Sequence, residues 1–136
     1  MCEINNQILV VDDNCFNILA LQGLILHNFK LNIDIANDGE QALKKVKQKY
    51  RVKGETYKLI LMDYSMPIMD GPTSARQIQE FLSTKLRKKQ SGLQRPYICC
   101  FSAYMDSEYQ KEALGAGMDL FIDKSIDEDK LKRMLI

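Results

Sequence analysis

The sequence predicts an α/β protein built on a doubly wound parallel sheet, and three observations lead to this prediction. Short apolar stretches alternate five times with longer stretches of helical periodicity along the 136 residues. The strongest strand candidates are apolar at every position, as in strands that helices cover on both faces. Turn-forming Asp, Asn and Gly residues separate the segments. With right-handed crossovers, five such strand–helix units favour the strand order 2-1-3-4-5.

Composition and charge are those of an ordinary globular protein. Apolar residues make up 46% of the chain, charged residues 27%, and the net charge is +1. This balance gives no electrostatic reason to expect binding to nucleic acid or to a membrane surface. No apolar run approaches the roughly 20 residues of a membrane span, and the first residues do not resemble a signal peptide. We therefore predict one cytoplasmic domain over 1–136, with its core at about 7–135.

The four cysteines suggest neither a disulfide framework nor a metal site. They are Cys2, Cys15, Cys99 and Cys100, with no Cys-x-x-Cys spacing. Adjacent residues of a strand point to opposite faces, so Cys99 and Cys100 belong to different sides of the sheet. We predict reduced cysteines that mostly pack in the interior, in a reducing compartment.

The first strand–helix unit is predicted from a β-branched run that ends in acidic residues. Residues 7–12 indicate a central strand. Asn14 suits the start of a helix over 15–28, because its side chain can accept from free backbone N–H groups. Apolar residues occur on most sides of this helix, so we expect it to be heavily buried.

The second unit combines an edge strand with a basic helix. Ile33 and Ile35 alternate with polar residues, which is typical of an edge strand. The turn residues 37–39 then start a helix over 39–50. The strongly basic residues 47–58 are interpreted as the helix end and an exposed loop. The predicted core side of the helix has three residues: Ala42, Leu43 and Val46.

The third unit is the most informative. Residues 58–63 indicate a strand in which four apolar residues lead to Asp63, as in a buried strand that delivers one carboxylate at its end. Asp70 and Gly71 punctuate the following loop, and Pro72 suits the first turn of a helix. Four apolar residues continue this helix at helical spacing: Ala75, Ile78, Leu82 and Leu86.

The last two units are shorter. After a second basic linker at 85–95, residues 96–101 indicate a fourth strand, which Ser102 follows. A helix over 106–114 ends at Gly115. The fifth unit has a short strand, a cap candidate and three apolar helix residues: Leu120–Ile122, Asp127, and Leu131, Met134 and Leu135.

Polar side chains collect at the edge where the predicted parallel strands end. They are Asp12, Asp13, Asp63, Ser102 and Lys124. Three carboxylates in one pocket repel one another by about 4 kcal/mol per pair, at about 4 Å and an effective dielectric constant of about 20. Mg²⁺ suits such oxygen ligands, and a lysine and a hydroxyl suit phosphoryl oxygens. Aspartyl-phosphate formation requires a set of this kind.

These residues resemble the motifs of the response-regulator receiver domain, the phosphoacceptor of two-component signalling. The resemblance extends over residues 7–135 and implies a flavodoxin-like (βα)5 fold. It rests on four motifs in this order: Val10-Val11-Asp12-Asp13-Asn14, residues 62–71 around Asp63, Phe101-Ser102-Ala103, and residues 117–124.

The resemblance implies a role for each acidic residue. Asp63 would take a phosphoryl group from a phosphohistidine of a histidine kinase or a histidine phosphotransfer protein. Asp13, Asp63 and the backbone carbonyl of Ser65 would bind Mg²⁺ directly, and Asp12 would bind it through water. We therefore expect Mg²⁺ as the cofactor, and no enzyme activity beyond Mg²⁺-dependent phosphorylation and dephosphorylation of the domain itself.

The resemblance also implies a switch. Ser102 would move toward the new phosphate, Phe121 would swing inward behind it, and Lys124 would hold a phosphoryl oxygen. Fixed packing in the core is the alternative for Phe121. Residues beside the site resemble positions that tune dephosphorylation: Ser65, Ala103 and Tyr104.

One departure from the family concerns the residue after Lys124. The family has a proline there, often with a cis bond, and this chain has Ser125. A cis bond before another residue costs about 3 kcal/mol, so we expect a trans bond.

With Asn14 and Asn17, the chain most resembles the receiver domains of hybrid histidine kinases. We expect a monomer or weak dimer, either free-standing or part of a membrane-anchored kinase.

Three alternative functions fit parts of the sequence. A pseudo-receiver would bind partners without phosphorylation, although the acids, hydroxyl and lysine argue against it. An aspartyl phosphatase would need a second acid where this chain has Ser65. A nucleotide- or flavin-binding domain would need a turn rich in glycine or hydroxyls where Asp12 and Asp13 stand. We interpret His27 as structural or surface rather than a phosphodonor, and the basic stretches as solvated rather than bound to RNA or lipid.

Overall fold

A computed structural model describes residues 6–86, 94–103, 106–124 and 128–135 of the chain. The strands are β1 (Ile8–Val11), β2 (Asp34–Ala36), β3 (Leu59–Asp63), β4 (Tyr97–Ser102) and β5 (Leu120–Asp123). The helices are α1 (Cys15–Phe29), α2 (Gly39–Lys53), α3 (Gly71–Leu86), α4 (Ser107–Gly115) and α5 (Glu128–Leu135). The strands pair in parallel in the order β2-β1-β3-β4-β5. The predicted fold class and strand order are confirmed.

The sheet carries a hydrophobic core on each face, because successive strand residues point to opposite sides. In β3, Ile60 packs on the side of α2, α3 and α4, and Leu61 packs on the side of α1. Both are fully buried, as the continuous apolar run predicted. Cys99 and Cys100 are also divided between the two cores, whereas Cys15 is exposed and Cys2 lies outside the described residues.

Two helices begin at side-chain caps, of which Asn14 was predicted as a cap and Asp38 only as a turn residue. The side chain of Asn14 accepts from the backbone N–H of Phe16 at 2.9 Å, and that of Asp38 accepts from Gln41 at 2.8 Å. Each interaction satisfies a backbone donor that a helix start leaves free. The end of α4 at Gly115 also agrees with the prediction. The cap candidate Asp127 lies outside the described residues.

The predicted heavy burial of α1 is wrong. Phe16 is 77% exposed, Leu19 60% and Leu26 47%. Only one side of the helix packs against the sheet. No second layer of structure covers the other side within the described residues, so its apolar side chains are exposed. His27 on this helix is exposed. No helix within the described ranges is both long enough and apolar enough to cross a membrane. The buried residues of α1 are Ile18, Leu21 and Ile25.

The first basic stretch is more ordered than predicted. Helix α2 continues to Lys53, and Gly54 ends it with a φ of +68°. Tyr57 is buried rather than exposed, and its hydroxyl donates to Asp34 at 2.6 Å. Lys49 lies over the Tyr57 ring, 4.9 Å from its centroid. Long lysine stems cover aromatic surface here, so this stretch is not a solvated loop throughout. Most of the second basic stretch lies outside the described residues.

Candidate functional site

Parallel pairing brings the carboxyl ends of four strands to one edge of the sheet. Asp12 directly follows β1, and Lys124 directly follows β5. Asp63 and Ser102 are the last residues of β3 and β4. Because the strands run in the same direction, these side chains are delivered to a common pocket, which is where ligands bind in open α/β sheets.

Three carboxylates form a compact cluster in this pocket. One oxygen from each of Asp12, Asp13 and Asp63 lies within 4.8 Å of the others. Asp12 and Asp63 are buried, and Asp13 is exposed. Both oxygens of Asp12 are engaged, since Oδ1 accepts from the Asn14 N–H at 2.9 Å and Oδ2 from the Asn17 amide at 3.0 Å. Asp12 is therefore held by its surroundings, while Asp13 remains accessible to a ligand.

The donor set fits a hard divalent cation. Carboxylate oxygens are the ligands that Mg²⁺ prefers, and a site with few of them leaves positions for water and phosphate. Lys124, which pairs with Asp63, offsets only one of the three negative charges. An additional cation would remove the remaining repulsion, so the residues present suit Mg²⁺.

Lys124 lies against the central carboxylate, although Ser125 rather than proline follows it. Its Nζ is 3.1 Å from Oδ2 of Asp63. The Lys124–Ser125 bond, predicted to be trans, lies outside the described residues. Burial and the carboxylate of Asp12 raise the pKa of Asp63 to about 6, against the opposing effect of Lys124. Without a bound cation, the fold thus disfavours the charged form of Asp63.

We expect Asp63→Asn to stabilise the metal-free protein at neutral pH. The pKa of Asp63 rises on folding from 3.8 to about 6, so the stability gained from protonation is complete below about pH 4 and is lost as the pH rises through about 6. An asparagine cannot ionise and avoids this loss. In EDTA at pH 7.5 the variant should be more stable than the parent by about 1–2 kcal/mol, and by less at about pH 4.5. Urea unfolding at both pH values measures this difference; a less stable variant at pH 7.5 would contradict the expectation.

The loop after Asp63 folds back onto β3. The N–H of Gly71 donates to the carbonyl of Tyr64 at 2.8 Å, and a Cβ at Gly71 would lie 2.4 Å from the carbonyl oxygen of Asp63. Only glycine fits this approach. Asp70 accepts from a backbone N–H in the first turn of α3 at 2.8 Å. Ile68, in the loop between Asp63 and Gly71, has a φ of +72° and is 77% exposed. A β-branched residue in this region is strained, and such strain often marks functional loops.

The predicted switch residues lie on β4 and β5, the two strands that follow β3 in the sheet. Ser102 is 2% exposed at the end of β4, and Phe121 is 7% exposed in β5. The Phe121 ring stands edge-on to Tyr64, with centroids 6.4 Å apart. The Phe121 side chain is thus already buried in this arrangement, and its role as a switch stays a prediction. Tyr104 lies outside the described residues. Two tuning candidates are exposed at the rim: Ser65 and Ala103.

Two contacts at the site were not predicted from the sequence. The first is the hydrogen bond from the Asn17 amide to Asp12, since Asn17 was identified only as a family feature. Its position in the first turn of α1, close to Asp12 in the chain, could have predicted this contact. Glu112 accepts a hydrogen bond from the hydroxyl of Tyr64. The two residues are 48 positions apart, so no local pattern connects them.

Comparisons with known proteins identify the family of the chain. The sequence profile of the response regulator receiver domain matches residues 8–136. The osmosensing histidine protein kinase SLN1 of Saccharomyces cerevisiae is 37% identical over 133 residues, which are 98% of this chain and 10% of that protein. Hybrid signal transduction histidine kinase L of Dictyostelium discoideum is 35% identical over 129 residues, 95% of this chain and 7% of the kinase. The chain thus spans a tenth or less of the length of these two relatives.

Solved structures share the fold. A chain of the CheX–CheY–BeF3–Mg²⁺ complex of Borrelia burgdorferi has a TM-score of 0.74 and 28% identity, with 97% of this chain and 87% of that chain covered. The receiver domain of the histidine kinase CKI1 of Arabidopsis thaliana, a D1050A mutant, has a TM-score of 0.78 and 26% identity. The match covers 96% of this chain and 90% of that chain. A chain of the Saccharomyces cerevisiae complex between the histidine phosphotransfer protein Ypd1 and the Ssk1 receiver domain has a TM-score of 0.78 and 23% identity. The match covers 98% of this chain and 88% of that chain. The chain therefore belongs to the response regulator receiver domain family, and its curated relatives include hybrid histidine kinases.

Proposed function

We propose that this receiver domain accepts a phosphoryl group on Asp63 from a phosphohistidine of a partner protein. The observation that carries the proposal is the meeting of Asp12, Asp13 and Asp63 with Lys124 at one edge of the sheet. Asp63 ends a buried strand, so its carboxylate is held in position. A positioned carboxylate beside positive charge is suited to attack phosphorus.

In the proposed step, an oxygen of Asp63 forms a bond to phosphorus and the bond between phosphorus and the histidine nitrogen breaks. The imidazole leaves with the electron pair of that bond, and an acyl phosphate remains on Asp63. Lys124 would bind one phosphoryl oxygen, and the hydroxyl of Ser102 would donate to another. When bound, Mg²⁺ supplies positive charge that offsets the acids and the phosphoryl oxygens.

The proposed Mg²⁺ ligands are Asp13, Asp63 and the backbone carbonyl of Ser65, with Asp12 acting through water. The indirect role of Asp12 is supported by the two donors that already engage its oxygens. The exposure of Ser65 and Ala103 at the rim supports a further proposal, that they influence how readily water reaches the acyl phosphate.

The proposed phosphoryl donor is a histidine kinase or a histidine phosphotransfer protein of the cytosol. In the Saccharomyces complex, Ypd1 is bound to the receiver domain of Ssk1. Here, exposed apolar side chains follow two of the clustered acids along the chain. Phe16 is the second residue of α1, three residues after Asp13, and Ile68 lies in the loop after Asp63. Each is 77% exposed. Apolar side chains beside a charged site suit a protein partner, and we propose that both contact the donor.

We expect Ile68→Asn to slow phosphotransfer from a phosphohistidine donor by about tenfold. Asparagine tolerates the left-handed conformation of this position, so the loop should keep its shape. Labelling by acetyl phosphate, which needs no docking surface, should be unchanged. Val52→Asn is the matched control, since Val52 is also an exposed β-branched residue, 70% exposed, and lies on α2. Equal slowing with both phosphoryl donors would contradict a docking role.

Acetyl phosphate tests the proposed chemistry without a protein partner. With Mg²⁺, the intact mass of the chain should rise by about 80 Da, the mass of one phosphoryl group, and EDTA should prevent the increase. An unchanged mass under conditions in which an aspartyl phosphate survives would overturn the proposal. It would favour a pseudo-receiver that binds partners without being phosphorylated.

A further inference from the structure

Tyr64 connects the phosphoacceptor strand with α4. It follows Asp63 directly, and its side chain is only 6% exposed. Its hydroxyl donates to the carboxylate of Glu112 on α4. Its ring packs edge-on against Tyr109 of α4, with centroids 5.0 Å apart and planes at 85°, and edge-on against Phe121 of β5. One side chain thus touches both elements on this side of the site.

The backbone of Tyr64 is tied to the loop that borders Asp63. Its carbonyl accepts from the N–H of Gly71 at 2.8 Å, and its N–H donates to the carbonyl of Phe101 at 3.1 Å. Gly71 in turn lies so close to Asp63 that no side chain fits between them. A change in this loop therefore moves the backbone from which the Tyr64 side chain extends.

Helix α4 buries little of its own side-chain surface. Ala113 is the one buried residue of α4, all of whose residues are described. A small helix with a single buried alanine depends strongly on a buried aromatic side chain that packs on it and bonds to it.

We propose that Tyr64 is a positioning residue that couples phosphorylation of Asp63 to the placement of α4, through Glu112 and Tyr109. This inference rests on the proposed function and names the contacts through which phosphorylation of Asp63 would change the position of α4. The hydroxyl–carboxylate bond makes α4 follow the loop after β3. The coupling is reciprocal, so restraining α4 also biases the loop.

The experiment follows backbone amide NMR shifts of the whole chain on addition of Mg²⁺ and beryllium fluoride, a mimic of the phosphoryl group. In the parent, both the loop at 63–71 and α4 should respond. In Tyr64→Phe, which keeps the ring and removes the hydroxyl, the loop should still respond while the α4 shifts fall to less than roughly half. Tyr50→Phe is the control, because the Tyr50 ring packs on Phe81 instead. It should behave like the parent.

Glu112→Ala provides a second route to the same answer, since Glu112 is exposed and its truncation leaves no cavity in the core. It should reduce the α4 response as Tyr64→Phe does, and the double variant should lose no more than either single one. A full α4 response in either single variant would overturn the coupling and leave the proposed function standing. A parent that shows no response at 63–71 would overturn both.

Discussion

Replacing Asp13 with asparagine should lower the rate at which acetyl phosphate labels the protein by about a hundredfold or more. Asp13 is the exposed member of the acidic cluster, and it is one of the proposed direct ligands of Mg²⁺. Asparagine keeps the shape but removes the charge, so Mg²⁺ binds more weakly and the repulsion between phosphate and carboxylates is no longer offset. Intact-mass measurements over time, at several Mg²⁺ concentrations, give the rate.

Asp129→Asn is the matched control for this change, since Asp129 is an exposed carboxylate on α5. It should label at the parental rate. Mg²⁺ should also raise the melting temperature of the parent and of this control, and have less effect on Asp13→Asn. An Asp13→Asn protein that labels as fast as the parent would show that phosphorylation does not require Asp13 as a ligand of Mg²⁺.

Replacing Lys124 with alanine should also reduce labelling, by about a hundredfold. The ammonium group of Lys124 lies 3.1 Å from Asp63 and would pass to a phosphoryl oxygen as the acyl phosphate forms. The variant loses this charge where negative charge develops. Lys124→Arg should recover part of the rate, because it restores a cation of different shape. The same mass measurement applies.

Lys130 offers a comparison on the neighbouring element. It pairs with Asp123 at 3.5 Å and is not part of the acidic cluster. Lys130→Ala should therefore leave the labelling rate unchanged. If Lys124→Ala labels as quickly as Lys130→Ala, the contact of Lys124 with Asp63 would be an ion pair without a role in phosphorylation.

The sheet and the membership of the acidic pocket could be predicted because they follow from simple rules. Strands covered on both faces are apolar throughout, as in β3. Parallel strands end at a common edge, so Asp12, Asp63 and Lys124 had to come near one another once the strand order was known. The family's proline after this lysine is replaced by Ser125 in this chain. The contact of Lys124 with Asp63 does not depend on a proline.

Other features depend on tertiary contacts that no local pattern records. The apolar residues of α1 gave no sign that Phe16 and Leu19 lack a covering layer. The basic stretch after α2 concealed a buried tyrosine, because lysines that cover aromatic rings look like solvated lysines in a sequence. The left-handed conformation of Ile68 is set by the loop around it. The bond between Tyr64 and Glu112 joins distant segments through the sheet.

The most direct test of phosphorylation at Asp63 is to locate the label by peptide mass spectrometry after borohydride reduction, which converts an aspartyl phosphate into homoserine. In the parent treated with acetyl phosphate and Mg²⁺, we predict homoserine at position 63. In Asp63→Asn we predict no label. Homoserine at another position, or labelling of Asp63→Asn as readily as the parent, would contradict the assignment of Asp63 as the phosphoacceptor.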